Sequence, residues 1–159
     1  MACGKERTVD ADVFDRLMLE AIAEEITARD FYQQAAHRMK DPNVRAICEQ
    51  LSSEENHHRN TLETFRFNPL AMVEFERAQD FHVSEKEKEP PLSFDMSPRE
   101  AFRLAMKKEE QALATYMRFA AGCQDPETCK LYLQLAEMER GHKSRLEGLF
   151  VNAAYPETW

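Results

Sequence analysis

The sequence has few glycines, no long apolar run and no closely spaced pair of cysteines, and each absence excludes a class of protein. Only four glycines occur among 159 residues, while helix-favouring Ala, Leu, Glu and Met are frequent, which favours helices over sheets. No run of about eighteen apolar residues is present, so no membrane-spanning helix is expected. The N-terminal residues lack the apolar core of a secretory signal. We therefore expect residues 1–159 to form one all-α domain in the cytoplasm.

The four cysteines are Cys3, Cys48, Cys123 and Cys129. No two of them form a Cys-x-x-Cys pair, which excludes a four-cysteine iron or zinc site within this chain. Reduced thiols are the expectation for a cytoplasmic protein, and a disulfide between Cys123 and Cys129 is the alternative.

The net charge of the chain bears on its partners. At a formal charge of −8, the surface would repel nucleic acids and anionic membranes, so neither is expected as a partner. The same charge favours the attraction of cations.

The chain repeats itself at a constant spacing of 84 residues, which indicates two similar structural units in tandem. The residues that recur include Glu25 and Glu109, Tyr32 and Tyr116, Glu55 and Glu139, and His58 and His142. The turn signal Asp41-Pro42 recurs as Asp125-Pro126, where the aspartate can cap a helix that begins at the proline. Each unit is therefore predicted to be a pair of antiparallel helices.

Apolar residues recur in steps of three and four along each predicted helix, which is the pattern of one buried face. Ser97 and Glu100 form a predicted capping box at the start of the third helix. The predicted segments are hairpin one at about 10–66, a crossover at 67–97 and hairpin two at about 98–150. A short helix from Asn68 through Ala78 is also expected. One long crossover between two hairpins is the connection of a ferritin-like four-helix bundle.

Glutamate or histidine interrupts the apolar face of every predicted helix. A single glutamate there would ordinarily be a surface residue, but two identical sets at one spacing favour a common site. Four buried carboxylates would repel one another, whereas two divalent cations would balance their charge and bind neutral imidazoles. Such a ligand set suits iron or manganese. The predicted metal ligands are Glu25, Glu55, His58, Glu109, Glu139 and His142.

Several neighbouring residues are interpreted more simply. Tyr32 and Tyr116 lie on the same faces as the predicted ligands and could hydrogen-bond their carboxylates, although packed tyrosines would look the same. His37, His57 and His82 are expected to face solvent.

These segments resemble the rubrerythrin branch of the ferritin-like superfamily. The resemblance lies in residues 25–32 (EITARDFY) and 51–58 (LSSEENHH), and in their repeats at 109–116 (EEQALATY) and 135–142 (LAEMERGH). It implies two iron ions, with manganese or zinc as substitutes. It further implies that Glu55 and Glu139 bridge the ions, Glu25 and Glu109 are terminal ligands, and His58 and His142 bind one ion each.

The sequence departs from the rubrerythrin pattern in two ways. It has no rubredoxin-type iron site, and it lacks a further glutamate on the third helix, where Met106 or Ala112 stands. The resemblance is therefore to simpler members of the branch. An electron donor outside the chain would then be required.

The expected function is a di-iron oxidoreductase that oxidises bound iron(II) with peroxide or dioxygen. The alternatives are iron storage, or a binding module in which the metal pair is structural. Hydroxylation of an organic substrate would need an apolar pocket beside the metals. A homodimer is compatible with all of these.

Overall fold

A computed structural model describes residues 10–69 and 75–154, and in these ranges the chain forms four long helices and no strand. The all-α prediction is confirmed. The helices are α1 at Ala11–Arg38, α2 at Pro42–Phe67, α3 at Pro98–Gly122 and α4 at Pro126–Ala154.

The helices begin where the capping signals predict. The Asp41 carboxylate accepts hydrogen bonds from the backbone N–H groups of Asn43 and Val44, directly before Pro42 opens α2. Ser97 and Glu100 form the predicted capping box, in which the Ser97 hydroxyl accepts from the Glu100 backbone N–H. Each such cap stabilises its helix by about 1 kcal/mol, because it satisfies backbone donors that the first turn leaves unpaired.

The helices pack as two hairpins, α1 against α2 and α3 against α4, as predicted. Buried apolar side chains from both hairpins then join in common clusters. One cluster contains Leu17, Leu62, Leu113 and Leu135. Each such side chain contributes about 1.5–3 kcal/mol by burial. The core therefore holds the hairpins together on either side of the polar residues at mid-helix.

The crossover between the hairpins is mostly without regular structure, apart from a short 3-10 helix at Ser84–Lys86. The helix expected from Asn68 through Ala78 falls partly on 70–74, which lie outside the described residues. Residues 75–78 are not helical, so this part of the prediction is wrong. Instead, the Phe75 backbone N–H donates to the side chain of Gln134, 2.8 Å away, which fixes the chain in a non-helical path along α4.

The expectation of reduced thiols at the second turn is corrected by the structure. Cys123 and Cys129 are joined by a disulfide, with their Cα atoms 5.6 Å apart. The short turn between α3 and α4 brings the two residues to a separation that a disulfide can bridge. Cys48 is a free, buried thiol, and Cys3 lies outside the described residues.

Within the described ranges, none of the helices combines the length and the apolar character needed to cross a membrane.

Candidate metal centre

The six predicted ligands meet at the middle of the bundle. All four glutamates are at most 6% exposed, although an unpaired carboxylate is rarely buried so deeply. They form two groups, each of whose potential ligand atoms lie within 4.8 Å of one another. The groups are Glu25 with Glu55 and His58, and Glu109 with Glu139 and His142.

The two groups have nearly the same geometry. His58 Nδ1 lies 2.9 Å from Glu55 Oε2 and 3.6 Å from Glu25 Oε2. In the second hairpin, His142 Nδ1 lies 3.1 Å from Glu139 Oε2 and 3.6 Å from Glu109 Oε2. The sequence repeat has therefore become an internal two-fold arrangement of ligands.

The two imidazole rings connect the groups. His58 and His142 stack in parallel, with ring centroids 3.6 Å apart and an interplanar angle of 7°. Since His58 belongs to α2 and His142 to α4, the hairpins are in register at this level. The two groups form a single centre rather than two separate sites.

Electrostatics at the centre are those of crowded, buried charges. Burial, followed by the nearby charge of Glu109, raises the pKa of Glu139 to about 8, despite the hydrogen bond with His142. Burial also raises the pKa of Glu25. Burial by itself would lower the pKa of His58, but hydrogen bonds with Glu25 and Glu55 raise it to about 9. Without metal, the centre therefore retains protons that two divalent cations would displace.

This donor set fits a pair of divalent ions. Four carboxylates supply four negative charges, and each group offers one imidazole. Oxygen donors with imidazole suit iron or manganese better than a structural zinc ion, which in proteins usually takes cysteine. The fit rests on the clustering of carboxylates that would otherwise destabilise one another.

Tyr32 and Tyr116 lie beside the centre. Burial, then the charges of Glu109 and Glu55, raises the pKa of Tyr32 well above its ordinary value. Burial, then Glu139 and Glu25, raises the pKa of Tyr116. The Tyr32 hydroxyl is buried and has no hydrogen-bond partner within the described ranges. Its predicted hydrogen bond to a ligand carboxylate is not formed, and its role at the centre stays a prediction.

A second charged cluster lies next to the centre and was missed by the sequence reasoning. We call Asp80, Glu85, Lys143 and Glu147 the crossover clasp. Lys143 is 1% exposed, and its Nζ lies 2.5 Å from Asp80, 2.8 Å from Glu147 and 3.0 Å from Glu85. Glu147 also accepts backbone hydrogen bonds from the crossover, including that of Ser84 at 2.9 Å.

One signal could have identified the clasp. Lys143 and Glu147 follow Glu139 at steps of four along α4, which places them on the same inward face. Asp80 and Glu85 gave no comparable signal. Together with His82 they have the spacing of a metal site, but the ammonium group of Lys143 already lies against both carboxylates.

An open cleft between α1 and α3 reaches the centre. It has a volume of about 610 Å³ and is lined by all four ligand glutamates, but by neither histidine. Its walls are largely apolar and include Leu17, Ala28, Phe31, Ala112 and Phe119. A pocket of this kind could not be inferred from the sequence.

The fold and the two Glu/Glu/His groups define a helical bundle with a centre that could hold metal. The rubrerythrin family profile matches residues 16–150, and the chain therefore belongs to the rubrerythrin family. This confirms the resemblance seen in the sequence. Among solved structures, the chain is similar to a hypothetical protein from Pyrococcus furiosus, with a TM-score of 0.50 and 26% identity over 92% of this chain and 93% of that one. No curated protein matches the chain.

Proposed function

We propose that this protein is a di-iron oxidoreductase, in which iron(II) at the centre is oxidised by hydrogen peroxide or dioxygen. The observation that carries the proposal is the pair of equivalent Glu/Glu/His groups, joined by the stacked rings of His58 and His142. Membership of the rubrerythrin family supports it.

The proposed ligand roles follow the family resemblance. Glu55 and Glu139 would bridge the ions, Glu25 and Glu109 would bind one ion each from the cleft side, and His58 and His142 would bind one each from the opposite side. The chemistry supplied by two bound iron(II) ions is a two-electron reduction, in which one hydrogen peroxide and two protons become two water molecules.

The surrounding residues would prepare the centre for this chemistry. Tyr32 and Tyr116 keep their protons because their pKa values are raised, so they add no negative charge. The apolar walls of the cleft limit the access of water and strengthen electrostatic interactions at its floor. An oxidant small enough to pass these walls reaches the carboxylates directly.

An external electron donor is part of the proposal. The sequence contains no Cys-x-x-Cys pair and no nucleotide-binding glycine pattern. Once both ions are oxidised, reduction would therefore need a partner such as a small iron–sulfur protein. The cytoplasmic location is also proposed, and thiol titration of freshly isolated protein tests it, because a reducing compartment would yield Cys123 and Cys129 as thiols.

Metal analysis combined with stopped-flow kinetics tests the function. After anaerobic loading with iron(II), we expect two ions per chain and faster oxidation by hydrogen peroxide than by dioxygen. The reaction should stop after one oxidation per centre and resume when a reductant is added. Faster oxidation by dioxygen with growth of a ferric mineral would identify iron storage instead, and no reaction with either oxidant would leave a structural metal pair.

A further inference from the structure

The cleft between α1 and α3 is far larger than the proposed oxidants require. A water molecule occupies about 30 Å³ in the liquid, and hydrogen peroxide is only slightly larger, whereas the cleft measures about 610 Å³. Pockets that bind small organic molecules typically measure about 300–1,000 Å³. The space exists because Ala28 and Ala112, which recur 84 residues apart, put small side chains where α1 and α3 could otherwise meet.

The cleft approaches the centre from a defined side. Its floor includes Glu25, Glu55, Glu109 and Glu139. His58 and His142 instead line a separate cavity of about 50 Å³ between α2 and α4. A molecule in the cleft would therefore face the carboxylate side of the metal pair.

Two hydrogen-bond donors at one part of the cleft lack acceptors. The Tyr32 hydroxyl, on a residue only 2% exposed, has no partner within the described ranges. A buried donor left unpaired costs about 1–3 kcal/mol, so its presence points to a missing acceptor. Lys108 is half-buried with its Nζ 4.2 Å from the centre of the Phe31 ring, and it forms no ion pair with any residue that the structure describes.

We infer that this cleft binds a small organic acid, with its carboxylate towards Tyr32 and Lys108 and its apolar body along Ala28, Ala112 and Phe119. The inference rests on the proposed metal pair, because four unbalanced carboxylates at the floor would repel an anion. With two divalent ions bound, that charge is balanced, and the Lys108 ammonium favours an anionic head. The exposed Glu20 and Glu24 at the rim disfavour a second negative charge on the ligand, which limits it to a monoacid.

Calorimetric titration with octanoate tests the inference without measuring any reaction. Manganese(II)-loaded protein, shown to hold two ions per chain, is titrated with octanoate, octylamine and octanol. We expect octanoate to bind most tightly, and metal-free protein to bind it at least about tenfold more weakly. Equal binding of octylamine, or equal binding by metal-free protein, would overturn the assignment of an acid at the metal side.

Matched variants locate the binding site. Ala112→Leu should fill the cleft and abolish octanoate binding while two ions remain bound, whereas Ala114→Leu, on the exposed face of the same helix, should bind normally. Lys108→Met should weaken octanoate roughly tenfold but leave octanol unchanged, and Lys88→Met in the exposed crossover should affect neither.

The remaining outcomes separate this inference from the proposed function. Two bound ions without octanoate binding would overturn the inference alone. Failure to bind two ions would overturn both. A change in molecular mass by light scattering in Ala112→Leu would assign the cleft to self-association and overturn the ligand site.

Discussion

The same two positions are used differently in the two hairpins. Arg59 and Glu63 in α2 correspond, at the spacing of 84 residues, to Lys143 and Glu147 in α4. In the first hairpin the pair is partly exposed, at 27% and 39%, and its charged atoms are 3.7 Å apart. In the second the pair is buried, at 1% and 0%, and the atoms are 2.8 Å apart.

The crossover causes this difference. Residues 80–86 pass over α4, where Asp80 and Glu85 contact Lys143 and three backbone N–H groups donate to Glu147. A basic–acidic pair four residues apart contributes only about 0.3–0.5 kcal/mol on an exposed helix. When buried, the same pair becomes indispensable, because removing one partner leaves an uncompensated charge. The metal centre, by contrast, is nearly identical in both hairpins.

Removal of metal should have the largest effect, and it should affect both hairpins alike. Binding to the folded state alone adds about 4 kcal/mol when free metal exceeds its Kd about a thousandfold. We expect metal-free protein to melt at a markedly lower temperature, with faster amide exchange around Glu25 and Glu109 equally. Coincident melting temperatures would show that the carboxylates do not share metals. Exchange that increases in one hairpin alone would contradict the two-fold centre.

The stability of metal-free protein should fall as pH rises. The folded-state pKa of Glu139 is raised from 4.5 to about 8, and that of His58 from 6.5 to about 9. The folded state therefore binds more protons than the unfolded state, and the stability this provides is complete below the unfolded values and lost as pH rises through the folded ones. Urea denaturation between pH 5 and pH 9 measures it. Metal-loaded protein should show the opposite slope at the low end, because protons compete with metal there.

Substitution of one bridging carboxylate should remove metal from either hairpin. Glu139→Ala and Glu55→Ala should each lose at least one of the two ions, by metal analysis after anaerobic loading. Glu137→Ala is the matched control, because Glu137 pairs with Arg140 at 3.1 Å away from the centre. Full metal content in Glu139→Ala, or equal loss in Glu137→Ala, would refute the ligand assignment.

Loss of the lysine in the clasp should destabilise only the second hairpin. Lys143→Met leaves Asp80 and Glu147 without their cation and is expected to cost about 3 kcal/mol, whereas Arg59→Met should cost less than about 1 kcal/mol. Urea denaturation of the two variants measures the difference. Similar costs would mean that the crossover does not distinguish the hairpins.

The smallest effect is expected at the acidic partner. Glu147→Gln keeps one oxygen acceptor but loses the charge, so it should cost about 1–2 kcal/mol and increase amide exchange at Val83 and Ser84. Glu63→Gln, the equivalent change in α2, should stay within about 0.5 kcal/mol. Unchanged exchange at Val83 and Ser84 would show that Glu147 does not hold the crossover.

The acidic side of the pH range should also separate the hairpins. The pKa of Asp80 is lowered, because its hydrogen bonds with Lys143 and the His82 backbone outweigh burial, and that of Glu85 is lowered in the same way by Lys143. A lowered folded-state pKa adds stability above the unfolded value that is lost as pH falls through the folded one. Below about pH 4, amide exchange should therefore increase first in the crossover and α4.

The sequence by itself determined the four helices, their hairpin pairing and the six candidate ligands. Local spacing explains this: positions three and four apart share a helix face, and Asp41 and Asp125 mark turns too short for anything but antiparallel neighbours. The repeat then required Glu25, Glu55 and His58 to have equivalents in the second half. Two-fold symmetry can be read from one chain because it follows from spacing alone.

Only the tertiary structure decided what lies between these elements. The crossover was wrongly predicted to begin with a helix through Ala78, and its path over α4 determines that Lys143 and Glu147 are buried while Arg59 and Glu63 are not. The Cys123–Cys129 disulfide and the cleft beside Ala28 and Ala112 likewise depend on distances between segments. Such distances are set by packing between residues far apart in the sequence, for which a periodic pattern within one helix carries no information.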